Sequence, residues 1–496
     1  MNQSKPSPPL SRLILAAALM AATTTGCTVG PNFQAPKPDV PTAWSATAAL
    51  PAKGQVRQIT TEPATPAAWW TSFDDPELTS LIDRAAAANL YAKAALLRIA
   101  EARAQRDVAG AAAWPTLSVN ASDQINRLSE STPTGALFNK VGNLPGLTGV
   151  SIPNPYEQYQ LGFNASWEVD LFGRVRRSVE AAKADTEASV EDSRAVVVSM
   201  LGDVGRAYVD LRGAQAKRQI VVETIATDRD LLDLAGQRRR AGLTNDVDVV
   251  RAAAEASSAA AQLPLLDRQI AQDVNQLSKL LALEPGALKA ELEMVQPVPP
   301  VPPQVPIGLP ADLARRRPDI REAEDRLHAA TARVGVAVAD LFPRVTLAAQ
   351  GGLQSESLAT LVNWASRFVT AGPSVELPIF DAGQRRATVR LQDVRAREAA
   401  LDYRRTVLTA LNDVDNALVA YTSDQDRRTA LAETVARNRD AVDLARERYA
   451  SGLGDFIDVL DAERTLQQNQ ILLADGSTAV STDLVILYRA LGGGWS

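Results

Sequence analysis

At 496 residues the chain is long enough for several domains, yet aromatic residues make up only 5% of it and alanine is abundant, which argues for thin helix-on-helix packing rather than several thick cores. A net charge of −6, with both signs mixed along the chain, leaves no basic face and excludes nucleic acid as a partner. The lone cysteine precludes an intrachain disulfide, and there is no His/Cys cluster, no phosphate loop with Lys and Ser/Thr and no nucleophile elbow, so no enzyme, cofactor or metal centre is expected.

Residues 1–26 read as an export signal, with Lys5 and Arg12 before the apolar run Leu13 to Ala22 and small residues leading into Cys27. Cys27 stands where a bacterial lipoprotein carries its lipidated cysteine, although Thr24 occupies a position usually held by Leu; the plain alternative is an unused thiol beside a cleavage site. Residues 27–75 are then an extended, lipid-anchored N-terminal segment. No run of eighteen apolar residues follows the signal, so a membrane would have to be crossed by strands.

A first repeat spans 76–284. Its strands are expected at about 115–128, where Leu117, Val119 and Ala121 follow Pro115, and at about 158–172. In the second of these, Tyr159, Leu161, Phe163, Ala165, Trp167 and Val169 alternate with polar or small residues, giving one apolar and one wet face. A soluble sheet would alternate equally well, so periodicity alone leaves sandwich and barrel open. Strand lengths suited to a tilted bilayer crossing, each pair running straight into a long helix, favour the barrel.

From Arg174 to Arg240 nothing breaks the helical pattern, and Val197, Leu201, Val204, Tyr208 and Leu211 form a coiled-coil seam. Such a helix would extend about 100 Å. Gly242-Leu243 permits a tight reversal into a helix from Asp246 to Leu283, in which Pro264 predicts a bend or break near Leu263. A proline-rich segment, 285–310, reads as an extended linker on the outside of the body. The second repeat, 311–496, has strands expected at about 343–353 and 369–380, a helical run from Gln384 to Ala450, and the reversal Gly452-Leu453.

The two halves are copies at an offset of 210 residues, from Gly242 to Gly452: Leu234-Ala235, Arg238, Gly242-Leu243 and Asp248-Val249 recur as Leu444-Ala445, Arg448, Gly452-Leu453 and Asp458-Val459. Four strands cannot close a membrane barrel, for which about eight is the minimum. Several copies must therefore share one barrel, most naturally in a cyclic ring. Beyond the reversals come Asp246 and Asp248, then Asp455, Asp458, Asp461 and Arg464; spacings of three put Asp458, Asp461 and Arg464 on one helix face. Their plain reading is a solvated helix start favoured by the helix dipole. His328, the only histidine, reads as a packing or surface residue.

The segment Cys27-Thr28-Val29-Gly30-Pro31-Asn32-Phe33 with Pro36 and Pro41, then Trp69-Trp70 and Phe73-Asp74-Asp75-Pro76-Glu77-Leu78, resembles the outer membrane efflux protein family in its TolC/OprM-like, NodT-type lipoprotein branch. So do Trp167-Glu168-Val169-Asp170-Leu171-Phe172-Gly173, its copy Leu377-Pro378-Ile379-Phe380-Asp381-Ala382-Gly383, Arg315-Arg316-Arg317-Pro318-Asp319-Ile320 and Phe342-Pro343. The resemblance implies a mainly α fold with a transmembrane β-barrel portion: a homotrimeric twelve-stranded barrel, four strands per chain, continued by a long α-helical coiled-coil barrel with a mixed α/β equatorial belt. It implies a passive duct exporting drugs or other small molecules with a periplasmic membrane-fusion adaptor and an inner-membrane RND-type pump. It further places Gly242, Leu243, Gly452 and Leu453 at adaptor-docking tips, and Tyr449, Asp458, Asp461, Arg464 and Asp248 at a periplasmic gate. The competing expectations are an exit duct for type I polypeptide secretion and a non-transporting periplasmic coiled-coil scaffold.

Overall fold

The structure, a computed structural model, describes residues 28–37, 40–48, 59–60, 68–133, 136 and 154–495. The export signal and Cys27 lie outside the described residues. The chain divides into two compact units: one of residues 1–34, 102–185 and 327–398, the other of 35–101, 186–326 and 399–496. Among the described residues eight main helices serve them: α1 (Pro76–Ala88), α2 (Leu90–Ala111), α3 (Arg174–Arg240), α4 (Asp246–Ala260), α5 (Leu263–Leu280), α6 (Pro318–Ala339), α7 (Gln384–Ala450) and α8 (Phe456–Ala490).

The first unit holds β1 (Thr116–Asn126), β2 (Tyr156–Val169), β3 (Arg344–Ser355) and β4 (Arg367–Glu376), antiparallel in the order β1-β2-β3-β4. Odd-numbered residues pair with odd-numbered ones across all four strands, as in Val119 with Phe163, Phe163 with Gly351 and Gly351 with Val369. One face therefore carries Leu117, Val119, Leu161, Phe163, Leu347, Val369 and Val375, all of them exposed. The even-numbered face carries Ser118, Asn120, Gln160, Asn164, Gln350 and Thr370. The outer edges of β1 and β4 pair with nothing among the described residues.

Strand ends differ from the sequence expectation. β2 stops at Val169 because Asp170 turns its carboxylate onto the Val175 and Arg176 amides (3.1 and 2.8 Å) and starts α3. β4 stops at Glu376, so the expected strand residues Leu377, Pro378, Ile379 and Phe380 lie outside it; Pro378 has no amide to donate, and Asp381 repeats the capping role with bonds to Gly383 and Arg385. Gly173 and Gly383 both take φ +86°, a left-handed conformation that favours glycine. At the base of the sheet Arg174 forks onto Glu168 (2.8 and 2.7 Å) and Phe172 stacks on Phe342 at 4.9 Å. Residues 28–34 of the N-terminal segment lie in this unit: Val29 donates to the Phe172 carbonyl, Asn32 accepts from Arg177 at 2.5 Å, and Phe33 stacks on His328 at 4.4 Å. His328 also meets Glu180 at 3.1 Å, which is the packing role read from the sequence.

The second unit is helical around a main apolar cluster, with smaller ones further along the helices. Trp69 and Phe73, in a 3-10 turn (Trp69–Phe73), pack on Tyr488, and the fully buried Tyr208 donates to Asp75 (Oδ2, 2.9 Å), the residue that caps α1 through the Leu78 amide. That aromatic turn and a short helix (Ser45–Ala48) replace the uniformly extended segment expected over 27–75. The linker also departs from expectation. Rather than lying outside, 285–310 sends Leu288, Leu292, Val305 and Ile307 into the core, pairs Val305–Pro306 in parallel with Ile59–Thr60, and gives the Pro299 carbonyl to Ser481 at 2.8 Å.

The helix after the first reversal breaks at Ala261 and Gln262, and Pro264 falls in the first turn of α5, where its missing amide costs nothing. One 18-residue window of α8, at mean hydropathy 1.4, is apolar and long enough to cross a membrane. Its Val480, Leu484, Val485, Leu487 and Tyr488 are instead buried in this unit's core.

Candidate functional site at the hairpin tips

Both reversals close in the same way. In each, the glycine takes a left-handed conformation, φ +69° at Gly242 and +72° at Gly452, and the following leucine amide reaches back to an arginine carbonyl: Leu243 to Arg238 at 2.9 Å, Leu453 to Arg448 at 2.8 Å. A second bond joins Gly242 to Arg239 (2.9 Å) and Gly452 to Tyr449 (3.1 Å), completing the glycine-ended helix cap. Leu243 and Leu453 stay exposed (68% and 73%), although the leucine of such a cap commonly folds back on its helix.

The two hairpins share a small core of Leu231, Ala235, Ala252, Tyr449, Phe456, Val459 and Leu460. Tyr449 is buried in it, its ring 5.2 Å from Phe456 and covered by the Arg238 guanidinium at 4.3 Å. Arg238 also donates to the Tyr449 carbonyl at 2.8 Å, so the first hairpin grips the second. Burial raises the Tyr449 hydroxyl pKa, with Arg238 opposing and Asp248 adding to the rise. Asp248 is held by the Thr244 hydroxyl.

Arg464 joins α8 to α4 through Glu255 and reaches Asp461 at 3.4 Å; the Glu255 contact raises its pKa. Asp461 and Asp458 are both exposed, and Asp458 has no ion-pair partner among the described residues. The structure thus joins Asp461 to Arg464, leaves Asp248 bonded to Thr244 and acting on Tyr449 only through its charge, and gives Asp458 no ion-pair partner among the described residues. It adds Arg238 and Glu255, and behind them a buried acidic group that the sequence reading missed.

That group is Asp228 on α3, 6% exposed and without an ion-pair partner among the described residues. Burial, then Glu255, then Glu463 push its pKa up to about 6. Glu255 is held by Arg464 and Glu463 by Arg446, while Asp443 faces Glu463. Since the folded pKa lies above the ordinary value of about 3.9, protonated Asp228 contributes stability that is full below pH ~4 and lost as pH rises through about 6. Acidification from pH 7.5 to 5 is therefore expected to raise the denaturation midpoint of the tip helices. Asp228→Asn flattens that dependence and gains roughly 2–3 kcal/mol at pH 7.5; matching pH profiles for the two proteins would contradict this.

The arrangement is a set of interhelical clasps, Arg464 with Glu255, Arg446 with Glu463 and Arg239 with Asp246, at the ends of two helical hairpins.

The chain matches the family model described as outer membrane efflux protein over residues 81–283 and 309–493. It is 33% identical to the solvent efflux pump outer membrane protein SrpC of Pseudomonas putida, covering 95% of this chain and 96% of that protein. It is also 33% identical to the outer membrane protein OprJ of Pseudomonas aeruginosa, over 97% of this chain and 96% of that one. The solved structure of the outer-membrane channel OprN superposes with a TM-score of 0.84 at 34% identity, covering 95% of this chain and all of that one. Two matched repeats, near-complete relatives and a shared channel fold agree: the chain belongs to the outer membrane efflux protein family, whose members form outer-membrane efflux channels rather than enzymes.

Proposed function

We propose that three copies of this chain form the outer-membrane duct of a tripartite efflux system, passing drugs or other small molecules to the exterior. The observation that carries this reading is the open sheet: four antiparallel strands with an exposed apolar face, a polar face and two edges that pair with nothing among the described residues. In lipid an open edge leaves amides and carbonyls unsatisfied, so the strands of neighbouring copies must complete the ring. The apolar face meets lipid and the polar face meets water. No periplasmic scaffold needs such a sheet. The duct performs no catalysis; an inner-membrane RND-type pump supplies the energy, and a periplasmic adaptor joins the two.

In this reading Tyr449, Asp458, Asp461, Arg464 and Asp248 close the periplasmic mouth, and Gly242, Leu243, Gly452 and Leu453 dock the adaptor. The exposed Leu243 and Leu453 give that docking an apolar contact. Cross-linkers placed at these two leucines capture the adaptor; cross-linkers that never capture it would reject the role. Cys27 carries the lipid. Its intact mass from outer membranes includes acyl chains, and an unmodified Cys27 would refute the anchor.

The purified protein is expected to conduct ions in planar bilayers and to shift its gel migration on heating. Absence of both would overturn the duct.

A further inference from the structure

Phe368 is the one large apolar side chain on the even-numbered, polar face of the sheet. The other aromatic there, Tyr156, carries a hydroxyl and pairs with Asn126 at the end of β2. Phe368 pairs with Gly352, which pairs with Gly162. Its ring crosses that two-glycine gap: a β-carbon built on Gly162 would stand 3.5 Å from the ring tip. On Gly352 a β-carbon would lie 2.4 Å from the Gly162 Cα, so no side chain fits beneath the ring and the glycines make a groove for it. The ring sits one residue into β4, beside the turn where Arg367 lies over Trp364, and it remains only half-buried.

Laying an aromatic ring over strand glycines restores contacts that the glycines lack. That accounts for the ring's inner surface. Its outer surface is an apolar area on an otherwise hydrogen-bonding wall, the kind of surface on which aromatic or apolar organic solutes rest. We propose that Phe368 is a cargo-contacting residue, placing an apolar step for aromatic and apolar organic solutes at the loop end of the duct. This rests on the reading of the even-numbered face as the lumen. In a symmetric assembly every copy contributes one ring at the same height, so the apolar step is repeated around the lumen. An aromatic cation gains in addition from the ring face.

The test is single-channel recording in planar bilayers with ethidium as the aromatic cation and raffinose as a polar control. Relative to the wild type, Phe368→Leu and Phe368→Ala are expected to shorten ethidium blockades roughly five-fold or more, the effect of one aromatic contact of ordinary strength, while Phe368→Tyr keeps them. Raffinose blockades stay the same in all three. Phe368→Leu keeps apolar bulk over Gly162, so it carries the comparison if Phe368→Ala fails to assemble. Equal ethidium residence in the wild type and Phe368→Leu overturns this inference alone. A wild-type protein that conducts nothing overturns the duct reading and this inference with it.

Discussion

Replacing Asp461 and Arg464 together by alanine is expected to raise single-channel conductance several-fold. An exposed ion pair is by itself worth about 0–1 kcal/mol, and the Arg464 side chain is 45% exposed, so the loss of two contacts would not open a mouth. The larger effect comes from what Arg464 neutralises. Without it Glu255 loses its cation while standing near the buried Asp228, whose other acidic neighbour is Glu463. Like charges crowded at half-buried positions repel, and each copy in the ring adds the same repulsion, so the helix ends move apart. Asp461→Ala alone, which leaves the Arg464 contact with Glu255 intact, is expected to do much less. Raising the ionic strength reduces the change, because exposed charges are screened. Equal conductance in the double variant and the parent would remove the gate from these residues.

Trp69→Ala is expected to destabilise the helical unit by about 3–5 kcal/mol. Trp69 is 1% exposed, stacks on Tyr488 with ring centres 5.6 Å apart and meets Phe73 edge-on at 6.1 Å. Gly205 on α3 is small because the indole lies against it: a β-carbon there would stand 2.8 Å from the ring. Truncation leaves a cavity walled by rigid helices that cannot collapse onto it, and that cavity adds to the lost burial. Trp69→Phe keeps part of the ring stack and loses less. The denaturation midpoint of the detergent-solubilised protein reads the difference; an unchanged midpoint for Trp69→Ala would show that the aromatic cluster is not what holds this unit together.

The sequence carried the long elements and the reversals well, because periods of 3.5 and 2 repeat over many residues and Gly242 and Gly452 punctuate them. Pro264 was legible for a similar reason: a missing amide acts locally, and the helix breaks just before it. Leu377, Ile379 and Phe380 misled because alternation cannot see that Asp381 caps the next helix. The proline-rich linker misled differently. Its Val305 and Ile307 are isolated apolar residues with no period, and their burial depends on segments far away, Ile307 bonding to Thr60. The tips show the same limit more sharply. Arg464 and Glu255 are 209 residues apart, and Arg238 reaches the Tyr449 carbonyl across 211, so each of these two contacts joins different repeats. Repeat spacing put Arg238 opposite Arg448, but Arg448 turns back to its own Leu453 carbonyl. Tyr449 itself has Arg239 as its first-half counterpart, and Arg239 pairs with Asp246 instead. Equivalent positions have diverged in partner, which no spacing argument could reveal.

The four strands cannot satisfy their own edges in lipid and so must be completed by other copies. Native mass spectrometry of the protein extracted from outer membranes tests this directly. It should give one species of three chains that survives mild detergent; a stable single chain that stays in water without lipid or detergent would contradict the account.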